Sequence, residues 1–329
     1  MDEWPKCSII IPVKPGGRVK ALDALAKSDY PAGAVEALVA EGRQPSRQRN
    51  RAAALATGDL IYFLDDDSLV APGFLKKTIP HYRDPAVAAV GGPSLTPESD
   101  GILQRSFGLA FASALGGGAM RNRYRQTGAA RPTSDRELIL CNLSFRRALF
   151  LQQGGFDERL YPNEENELLE RIDRGGGRLI HDPGLAVYRS QRPSLGAFCR
   201  QLYGYGRGRG EQTLLSGVVS PVTFVPSLFL CYLLLLPLLH KAVYYLPLLC
   251  YLILVLVMTG YETARQRDRS PALLLPLIFP LFHLCYGLGM IRGLYPGARR
   301  EIPAAKEEVS VRLVKEFGGG WNVREESQV

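Results

Sequence analysis

The sequence predicts an α/β domain with a mostly parallel sheet, followed by helices that cross a membrane. Apolar runs typical of buried strands alternate with helical segments in the N-terminal part, a pattern that favours parallel strand pairing. The first 216 residues mix charged and apolar residues, whereas the part that follows is dominated by Leu, Val, Ile, Phe, Tyr and Pro. We therefore predict an α/β domain over 1–216, membrane helices over 217–292 and a C-terminal tail over 293–329.

Polar residues follow the predicted strands of the first domain. The strand-like runs are CSIIIPV (7–13), VEALVA (35–40), LIYFLDDD (60–67), VAAVGGP (87–93) and LILCNLSFRR (138–147). Helical segments lie between them, at 18–28 and in SRQRNRAAALATG (46–58), which has a serine start and a glycine stop. Ligands of such sheets bind beyond the carboxyl ends of the strands. Lys14, Glu41 with Arg43, and the acidic run after residue 64 should therefore line one crevice.

Three consecutive aspartates, Asp65, Asp66 and Asp67, follow the third strand. Successive side chains of an extended chain alternate, so Asp65 and Asp67 are expected to share a side while Asp66 points away. Two carboxylates at the carboxyl end of a strand form a hard oxygen site suited to Mg²⁺ or Mn²⁺. A solvated acidic turn is the alternative, but the buried character of the preceding run favours a metal or nucleotide site.

A second acidic cluster lies in GGFDERLYPNEENELLERIDRGGGRLI (154–180). Within it NEENELLERI is helical, with an apolar face that includes Leu168 and Leu169. Glu164 and Glu165 fall in the first turn, where the helix dipole favours negative charge, and that end effect alone would explain a lone glutamate. The loop rich in glycine and proline that precedes them favours carboxylates presented to a cleft.

Three apolar stretches follow, at 222–239, 243–261 and 272–291. Each has about the 18–20 residues needed to cross a bilayer, and none has a polar face. Arginines between the second and third stretches place that loop in the cytoplasm by the positive-inside rule, and the His240–Lys241 turn outside. We predict three crossings, which leave the tail outside; a third stretch that re-enters and returns is the alternative. With no signal peptide before the first strand, the α/β domain is expected to face the cytoplasm.

Charge and cysteine content exclude several other classes of site. The net charge is +8, yet no nucleic-acid recognition motif accompanies it, so phosphate-bearing lipid or nucleotide is the expected partner and nucleic acid is not. The six cysteines are far apart and form no CxxC pair, and the four histidines are scattered. We expect reduced cysteines that serve packing, with neither disulfides nor a zinc site.

Taken together, these segments resemble the family 2 glycosyltransferases, which have the Rossmann-like GT-A fold and use nucleotide sugars. The matching segments lie in order within about residues 7–210: SIIIPV, RNRAAALATGDLIYFLDDDS, CNLSFRR, GGFDE and an acidic helix start with the spacing Glu165–x–x–Leu168–x–x–Arg171. With RPSLGAFCRQLYGYGRGRG (192–210) and the apolar helices added, the chain is most similar to the succinoglycan-biosynthesis-type glucosyltransferases.

The resemblance implies a role for each matching residue. Pro12, Val13 and Glu41 would line the nucleotide pocket, Arg49 would face the diphosphate, Asp66 the ribose or sugar, Asp65 and Asp67 the divalent metal, and Glu165 would be the catalytic base. The chain departs from the family at three positions: Ala40–Glu41 replaces an acidic pair, the base is a glutamate instead of an aspartate, and Arg189 lies where many relatives have a metal-binding histidine. The metal is therefore expected to be held by carboxylates and phosphates alone.

The resemblance also implies the reaction, which is an inverting, metal-dependent transfer of a hexose from a nucleotide sugar, expected to be UDP-linked. The implied acceptor is a saccharide on a polyprenyl diphosphate at the inner membrane, in cell-surface or exopolysaccharide biosynthesis. We predict a mobile basic loop before the first apolar stretch as the acceptor contact, or else a solvated positive anchor. The candidate acceptor contacts are Glu164, Arg200, Gln201, Tyr203, Arg207 and Arg209.

Three other functions compete with this one. A processive polysaccharide synthase is disfavoured because the QxxRW motif is absent and the membrane part is short. A polyprenyl-phosphate hexosyltransferase would use the same donor site with a simpler lipid. A catalytically dead membrane scaffold is disfavoured because paired aspartates and a well-placed carboxylate occur in one chain.

Overall fold

The computed structural model describes residues 4–217, 220–295 and 309–321, which divide into two compact units. The first unit contains the described residues of 4–95, 125–189 and 309–321, and the second those of 96–124, 190–217 and 220–295. This division groups the segment 96–124 with the apolar helices and part of the C-terminal tail with the α/β unit. Neither grouping was indicated by the sequence.

Strands and helices alternate in the first unit, while the second unit is helical. The strands are β1 Cys7–Val13, β2 Val35–Glu41, β3 Leu60–Leu64, β4 Val87–Gly91, β5 Ser94–Leu95, β6 Arg131–Thr133, β7 Asn142–Arg146, β8 Arg178–His181, β9 Val187–Tyr188 and β10 Ser310–Lys315. The α-helices are α1 Ala21–Leu25, α2 Pro45–Leu55, α3 Phe74–Thr78, α4 Ile102–Ala112, α5 Arg147–Gln152, α6 Glu164–Arg174, α7 Leu195–Ser216, α8 Val225–Leu235, α9 Leu246–Arg265 and α10 Leu275–Leu294. Short 3₁₀ helices lie at Ala32–Ala34, Ile79–Arg83, Gly118–Tyr124, Asp135–Glu137, Pro183–Leu185, Pro221–Phe224, Leu236–Leu238, Ala242–Tyr245 and Ser270–Leu274.

The main sheet confirms the predicted α/β class and is mixed in its pairing. Among the described residues it has eight strands in the order β10-β2-β1-β3-β7-β4-β8-β6, and β5 and β9 form a separate pair. β1 runs parallel to both β2 and β3, and β4 runs parallel to β8. Val13 is in register with Glu41, so the carboxyl ends of β1 and β2 meet at one edge. The carboxyl ends of the first three strands therefore lie at one edge of the sheet, as the sequence predicted.

One apolar cluster fixes α2 and α6 on the sheet. It contains Phe63 of β3, alanines of α2 including Ala52, and Leu168 and Leu169 of α6, all buried. The Phe63 and Phe156 rings lie 5.2 Å apart between centroids. Complete burial of a large apolar side chain contributes about 1.5–3 kcal/mol, so this cluster holds both helices firmly. Their N-terminal turns are thereby brought to the region beyond the end of β3.

Strand β10 extends the sheet from the C-terminal tail. It runs antiparallel to β2, with Ser310 opposite Glu41 and Leu313 opposite Leu38. The Lys315 ammonium fastens it further by donating to the Ala32 carbonyl over 3.0 Å. The strands β1 to β9 precede the apolar helices and β10 follows them, so both ends of the apolar segment lie on one side of any membrane. The predicted three complete crossings do not fit this arrangement, which favours an even number, and the number of crossings stays a prediction.

The second unit carries the apolar helices. Among the described residues, three segments are long and apolar enough to cross a membrane: Pro221–Leu238, Ala242–Arg265 and Ser270–Leu294. They coincide with the three stretches that the sequence predicted, which are confirmed as helical. The prediction of a mobile basic loop before them is wrong, because that segment is the long helix α7.

Helix α7 forms in spite of its many glycines because those glycines let another backbone approach. An added Cβ at Gly206 would collide with the Tyr286 carbonyl oxygen of α10, and one at Gly289 would collide with the Tyr203 carbonyl oxygen of α7. Such glycine-lined contact between helices compensates for the low helix propensity of glycine. The Ser194 hydroxyl caps the helix start by accepting from the Ala197 amide over 3.3 Å. Close packing therefore orders a segment whose composition suggested mobility.

All six cysteines are free. Cys7 and Cys141 are buried in the first unit, and Cys231 and Cys250 are exposed on the apolar helices. None of them therefore provides a cross-link that stabilises the fold.

Replacing Gln48 by Leu should destabilise the first unit. The buried Gln48 amide donates to the Val13 carbonyl over 2.8 Å and to the Ala40 carbonyl over 2.6 Å, and so ties the ends of β1 and β2 to α2. Loss of both bonds in the interior should lower the free energy of unfolding by about 1–3 kcal/mol. Denaturant unfolding of the purified protein measures this, with Gln152→Leu on the exposed end of α5 as the control. Equal stability of the two variants would contradict the prediction.

Candidate active site

The three aspartates lie in a turn just beyond β3, not within the strand. The Asp65 amide donates to the Ser68 hydroxyl over 3.1 Å, and the Ser68 amide donates back to the Asp65 carbonyl over 3.1 Å. Strand alternation is therefore not the reason that Asp65 and Asp67 converge. They do converge, because the turn brings both carboxylates to the guanidinium of Arg189.

Alternating acidic and basic side chains connect the aspartates to the start of α6. Arg189 Nε donates to Asp67 Oδ1 over 2.8 Å, and its Nη1 lies 3.2 Å from Asp65 Oδ2. The other Asp65 oxygen accepts from Arg49 Nη2 over 2.8 Å. Arg49 Nη1 in turn donates to Glu164 Oε1 over 3.1 Å. The order along this network is Asp67, Arg189, Asp65, Arg49 and Glu164, and it unites the two acidic clusters of the sequence.

Helix α2 holds the loop that leads into α6. Three side chains in or next to α2 donate hydrogen bonds to backbone carbonyls of this loop. Gln44 donates to the Glu158 carbonyl over 2.6 Å, Ser46 to the Leu160 carbonyl over 2.8 Å and Asn50 to the Phe156 carbonyl over 2.8 Å. Arg171 of α6 donates to the Gly155 carbonyl over 3.1 Å from the other side. Gly155 has a φ of 72°, which favours glycine, and an added Cβ there would lie 2.5 Å from the Asn50 amide oxygen. The GGFDE segment is thus a loop anchored at both ends.

The first turn of α6 presents its two glutamates differently. Asn163 enters the helix with a φ of 89°, in the left-handed region. Glu164 is only 2% exposed, and its Oε2 atom has no hydrogen-bond partner among the described residues. Glu165 is half-buried. Burial raises the pKa of the Glu164 carboxyl, the neighbouring Glu165 charge raises it further, and Arg49 only partly opposes this.

Asp66 lies between its two acidic neighbours and is half-buried. Burial raises the pKa of its carboxyl, and the charges of Asp67 and Asp65 add to this effect. Its carbonyl accepts from the Ala21 amide over 3.0 Å, which fixes the start of α1 against the aspartate turn. Asp66 is therefore set apart from the pair that Arg189 bridges.

The residues predicted to line a nucleotide pocket lie at the same edge. Pro12 and Val13 are the buried last residues of β1, and Glu41 is the half-buried last residue of β2. Lys14 and Arg43 follow these strands and are exposed. The structure brings these five residues to the edge of the sheet at which the aspartate turn also lies.

The predicted acceptor residues other than Glu164 lie on α7, in the second unit. Arg207 pairs with Glu211 over 3.3 Å, and Arg209 is buried and donates to the Gln212 side chain over 3.1 Å. The Gln201 amide donates to the Tyr205 hydroxyl over 2.7 Å, Tyr203 is half-buried and Arg200 is exposed. Of the predicted acceptor contacts, Glu164 and Arg209 are buried.

Three residues have contacts near the site that the sequence did not predict. Arg189 bridges the aspartates, Gln48 ties strand ends together, and Asn142 accepts from the Tyr62 hydroxyl over 2.6 Å while donating to the Leu185 carbonyl over 2.6 Å. The only signal for Arg189 was its place where relatives have histidine. Asn142 is an isolated amide at the start of an apolar strand, which is a signal in the sequence, but its partners are distant along the chain.

The residues present fit a divalent cation only in part. Asp65 and Asp67 are hard oxygen ligands whose carboxylates already reach a single cation, the Arg189 guanidinium. Among the described residues, no group of three or more His, Cys, Asp or Glu side chains is placed to hold a metal ion. Two protein carboxylates would therefore need the oxygens of a bound phosphate and water to complete a coordination shell.

Comparison with known proteins shows the family of the chain. The family model described as "Glycosyl transferase family group 2" matches residues 60–261, more than half of the chain. The chain is similar to the pre-mycofactocin glycosyltransferase of Mycobacterium tuberculosis, with 29% identity over 153 residues that are 46% of this chain and 31% of that protein. It is also similar to the glucosyl-dolichyl phosphate glucuronosyltransferase of Haloferax volcanii, with 29% identity over 132 residues that are 36% of each. The matched segment is thus about a third of the length of these curated relatives.

Among solved structures, the chain is similar to the mannosyltransferase PcManGT of Pyrobaculum calidifontis, determined in complex with GDP-Man and Mn²⁺. The TM-score is 0.54 at 16% identity, covering 89% of this chain and 88% of the other. At this identity the likeness establishes the fold, and it confirms the predicted GT-A class.

Replacing Glu164 by Gln should change how stability depends on pH. Burial raises the pKa of this carboxyl from 4.5 to about 8, so it stabilises the fold below pH 4.5 and this contribution is lost as the pH rises to about 8. The difference in free energy of unfolding, variant minus wild type, should therefore increase over this range. Denaturant unfolding at several pH values measures it, with Glu170→Gln near the end of α6 as the control. A difference that falls with pH would show that Arg49 holds the pKa low instead.

Proposed function

The chain belongs to glycosyl transferase family group 2, and from this premise we propose that it transfers a hexose from a nucleotide sugar to a lipid-linked acceptor. The observation that carries the proposal is the Arg49 bridge, which joins the aspartate turn to the acidic first turn of α6. The aspartate turn and the helix turn that carries the candidate base Glu165 are thereby held together. This arrangement is what a displacement at a sugar carbon requires, with one group near the leaving diphosphate and another near the attacking hydroxyl.

On the donor side, Asp65 and Asp67 would hold Mg²⁺ or Mn²⁺. A bound dication supplies charge neutralisation for the departing nucleoside diphosphate. Pro12, Val13 and Glu41 would contact the nucleotide at the strand ends. Arg49 is 6% exposed at its side chain and already donates to two carboxylates, which favours a positioning role over the direct diphosphate contact that the family resemblance implied. Asp66 would face the ribose or the sugar.

On the acceptor side, Glu165 would remove the proton of the attacking hydroxyl. The new bond forms between that oxygen and the anomeric carbon as the bond to the diphosphate breaks, and the proton passes to the Glu165 carboxylate. A single in-line displacement inverts the anomeric centre. Glu164 is buried and accepts a hydrogen bond from Arg49, whereas Glu165 is only half-buried. The greater accessibility of Glu165 supports it as the base.

A lipid-linked acceptor is supported by the apolar helices and by one relative, whose name places glucosyl-dolichyl phosphate among its substrates. On α7, the predicted contacts that are not buried are Arg200, Gln201, Tyr203 and Arg207. The exposed Arg200 guanidinium could bind the diphosphate of a polyprenyl-linked saccharide, and the Gln201 and Tyr203 side chains could contact its sugar. The direct test is a panel of UDP- and GDP-linked sugars offered with polyprenyl phosphate and with polyprenyl-linked saccharides, scored by nucleotide release and product mass.

We also propose that α8 and α9 cross the inner membrane and that α10 does not. The three apolar segments differ in how much of their most apolar part is buried within the protein. The buried share is 39% in Ser270–Leu294, 11% in Pro221–Leu238 and 6% in Ala242–Arg265. Helix α10 packs backbone to backbone against α7, which carries arginines that hydrocarbon would not accommodate. Two crossings also satisfy the return of β10 to the sheet. By the positive-inside rule, the arginine-rich loop after α9 supports a cytoplasmic location of the first unit.

Labelling of single cysteines tests this topology. With the native cysteines replaced, cysteine at Arg267 and at Gly320 should be labelled by an impermeant reagent only in inside-out vesicles. Cysteine at Lys241, in the turn between α8 and α9, should be labelled only in right-side-out vesicles. Opposite sides for Arg267 and Gly320 would show that α10 crosses, and a common side for all three would show that no helix crosses completely.

Replacing Glu165 by Gln should lower turnover by roughly 10²-fold or more while leaving donor binding nearly unchanged, because the amide keeps the size but cannot accept the proton. Glu165→Asp should keep part of the activity, and Glu170→Gln on the same helix should keep nearly all of it. Steady-state rates and nucleotide-sugar binding together measure this. Normal turnover in Glu165→Gln, or a loss of donor binding in its place, would show that the base is another residue.

A further inference from the structure

The guanidinium of Arg189 occupies the place between the two aspartates of the proposed metal site. Its Nε is 2.8 Å from Asp67 Oδ1 and its Nη1 is 3.2 Å from Asp65 Oδ2, so one cation binds both carboxylates. Arg189 directly follows β9 and is 22% exposed at its side chain. We infer that Arg189 is a built-in competitor of the divalent cation, and that it leaves the aspartates when a nucleoside diphosphate binds. This inference rests on the proposed donor site.

Competition follows from the geometry of the carboxylates. A dication and a guanidinium cannot both contact the same Asp67 oxygen and the facing Asp65 oxygen without strong repulsion at such short separation. The second Asp65 oxygen is already bonded to Arg49 over 2.8 Å, so it cannot freely replace the one that faces Arg189. The aspartates are therefore neutralised from within the chain, and the free energy of binding a metal is reduced by the loss of the Arg189 contacts.

A nucleoside diphosphate changes this balance. Its oxygens match the planar fork of a guanidinium and provide the hydrogen bonds that Arg189 gives up at Asp65 and Asp67. The same phosphates supply the metal ligands that the described protein residues lack. Nucleotide and metal should consequently bind with positive coupling, and by linkage each should strengthen the other by the same factor. A histidine at this position would add a ligand; Arg189 instead makes the two bind together.

Mn²⁺ titration followed by electron paramagnetic resonance tests the inference without reference to turnover. In the wild type, Mn²⁺ alone should bind weakly, and saturating UDP or GDP should tighten it by about 10-fold or more, within the usual range of couplings. In Arg189→Gln, Mn²⁺ alone should bind about 10-fold more tightly than in the wild type, and the nucleotide should strengthen it much less. Arg189→Lys, which has charge but no fork, should fall between them.

Two controls separate the specific effect from others. Arg47→Gln removes the same charge from a similarly exposed arginine, 24% at its side chain, that pairs with a single carboxylate, Glu158. Its Mn²⁺ affinity should match that of the wild type. Asp67→Asn should lose Mn²⁺ binding with or without nucleotide while it keeps the fold, as circular dichroism would show.

The outcomes distinguish this inference from the proposed function. If the wild type binds Mn²⁺ with a nucleotide but Arg189→Gln binds Mn²⁺ alone no more tightly than the wild type, the inference is overturned and the metal site stands. If Arg189→Gln and Arg47→Gln gain affinity equally, a general charge effect explains the gain and the inference is again overturned. If the wild type binds no Mn²⁺ even with UDP or GDP, the metal site and the inference fall together.

Discussion

The bridge from Arg49 to Asp65 and Glu164 is the interaction on which the first unit depends. Removing a guanidinium from water is penalised by several kcal/mol, and the penalty is offset only if carboxylates meet it with good geometry. Arg49 is nearly fully buried, with the Asp65 carboxylate at 2.8 Å on one side and the Glu164 side chain at 3.1 Å on the other. The turn after β3, helix α2 and the start of α6 must therefore be placed together, and the apolar cluster beneath them provides that placement.

This constraint explains why polar and apolar parts of the unit are arranged in layers. Below the bridge, Phe63, Leu168 and their neighbours pack the helices on the sheet. Above it, the loop into α6 is held by Ser46 and Asn50 of α2, so the first turn of α6 cannot shift without breaking several backbone contacts. The acidic first turn is thus a rigid part of the site. Glu165 therefore lies on a helix that is held by the apolar cluster and by the hydrogen bonds to its entry loop.

The return of the tail to the sheet has a comparable influence on the apolar segment. Strand β10 satisfies the exposed edge of β2 and pairs with it from Ser310 to Lys315. An unpaired edge strand would present free amide and carbonyl groups, so this pairing is a favourable end for the sheet. It also imposes a rule on the helices between, since a chain that returns to its starting side crosses a bilayer an even number of times. Glycine contacts between α7 and α10 support the proposal that α10 is the helix that does not cross.

The sequence alone determined the class of the fold and the positions of both acidic clusters. Strand runs, the aspartates after β3 and the helical pattern around Leu168 all depend on local periodicity, which a single segment carries by itself. The order of the motifs was likewise sufficient to identify the family that the comparisons support. Length and apolar composition were enough to locate the three helices that could cross a membrane.

Tertiary structure decided the features that arise from pairs of residues far apart in the chain. The tail was expected outside the membrane because nothing in its sequence indicates that β10 pairs with β2. The segment around Gly206 suggested a loop because helix propensity is local, whereas its partner Tyr286 lies on another helix. Arg189 looked like a missing metal ligand, and only folding brought it to Asp65 and Asp67. The local sequence pattern determines the helix or strand to which a residue belongs. The residue that pairs with a charged side chain is determined by tertiary packing.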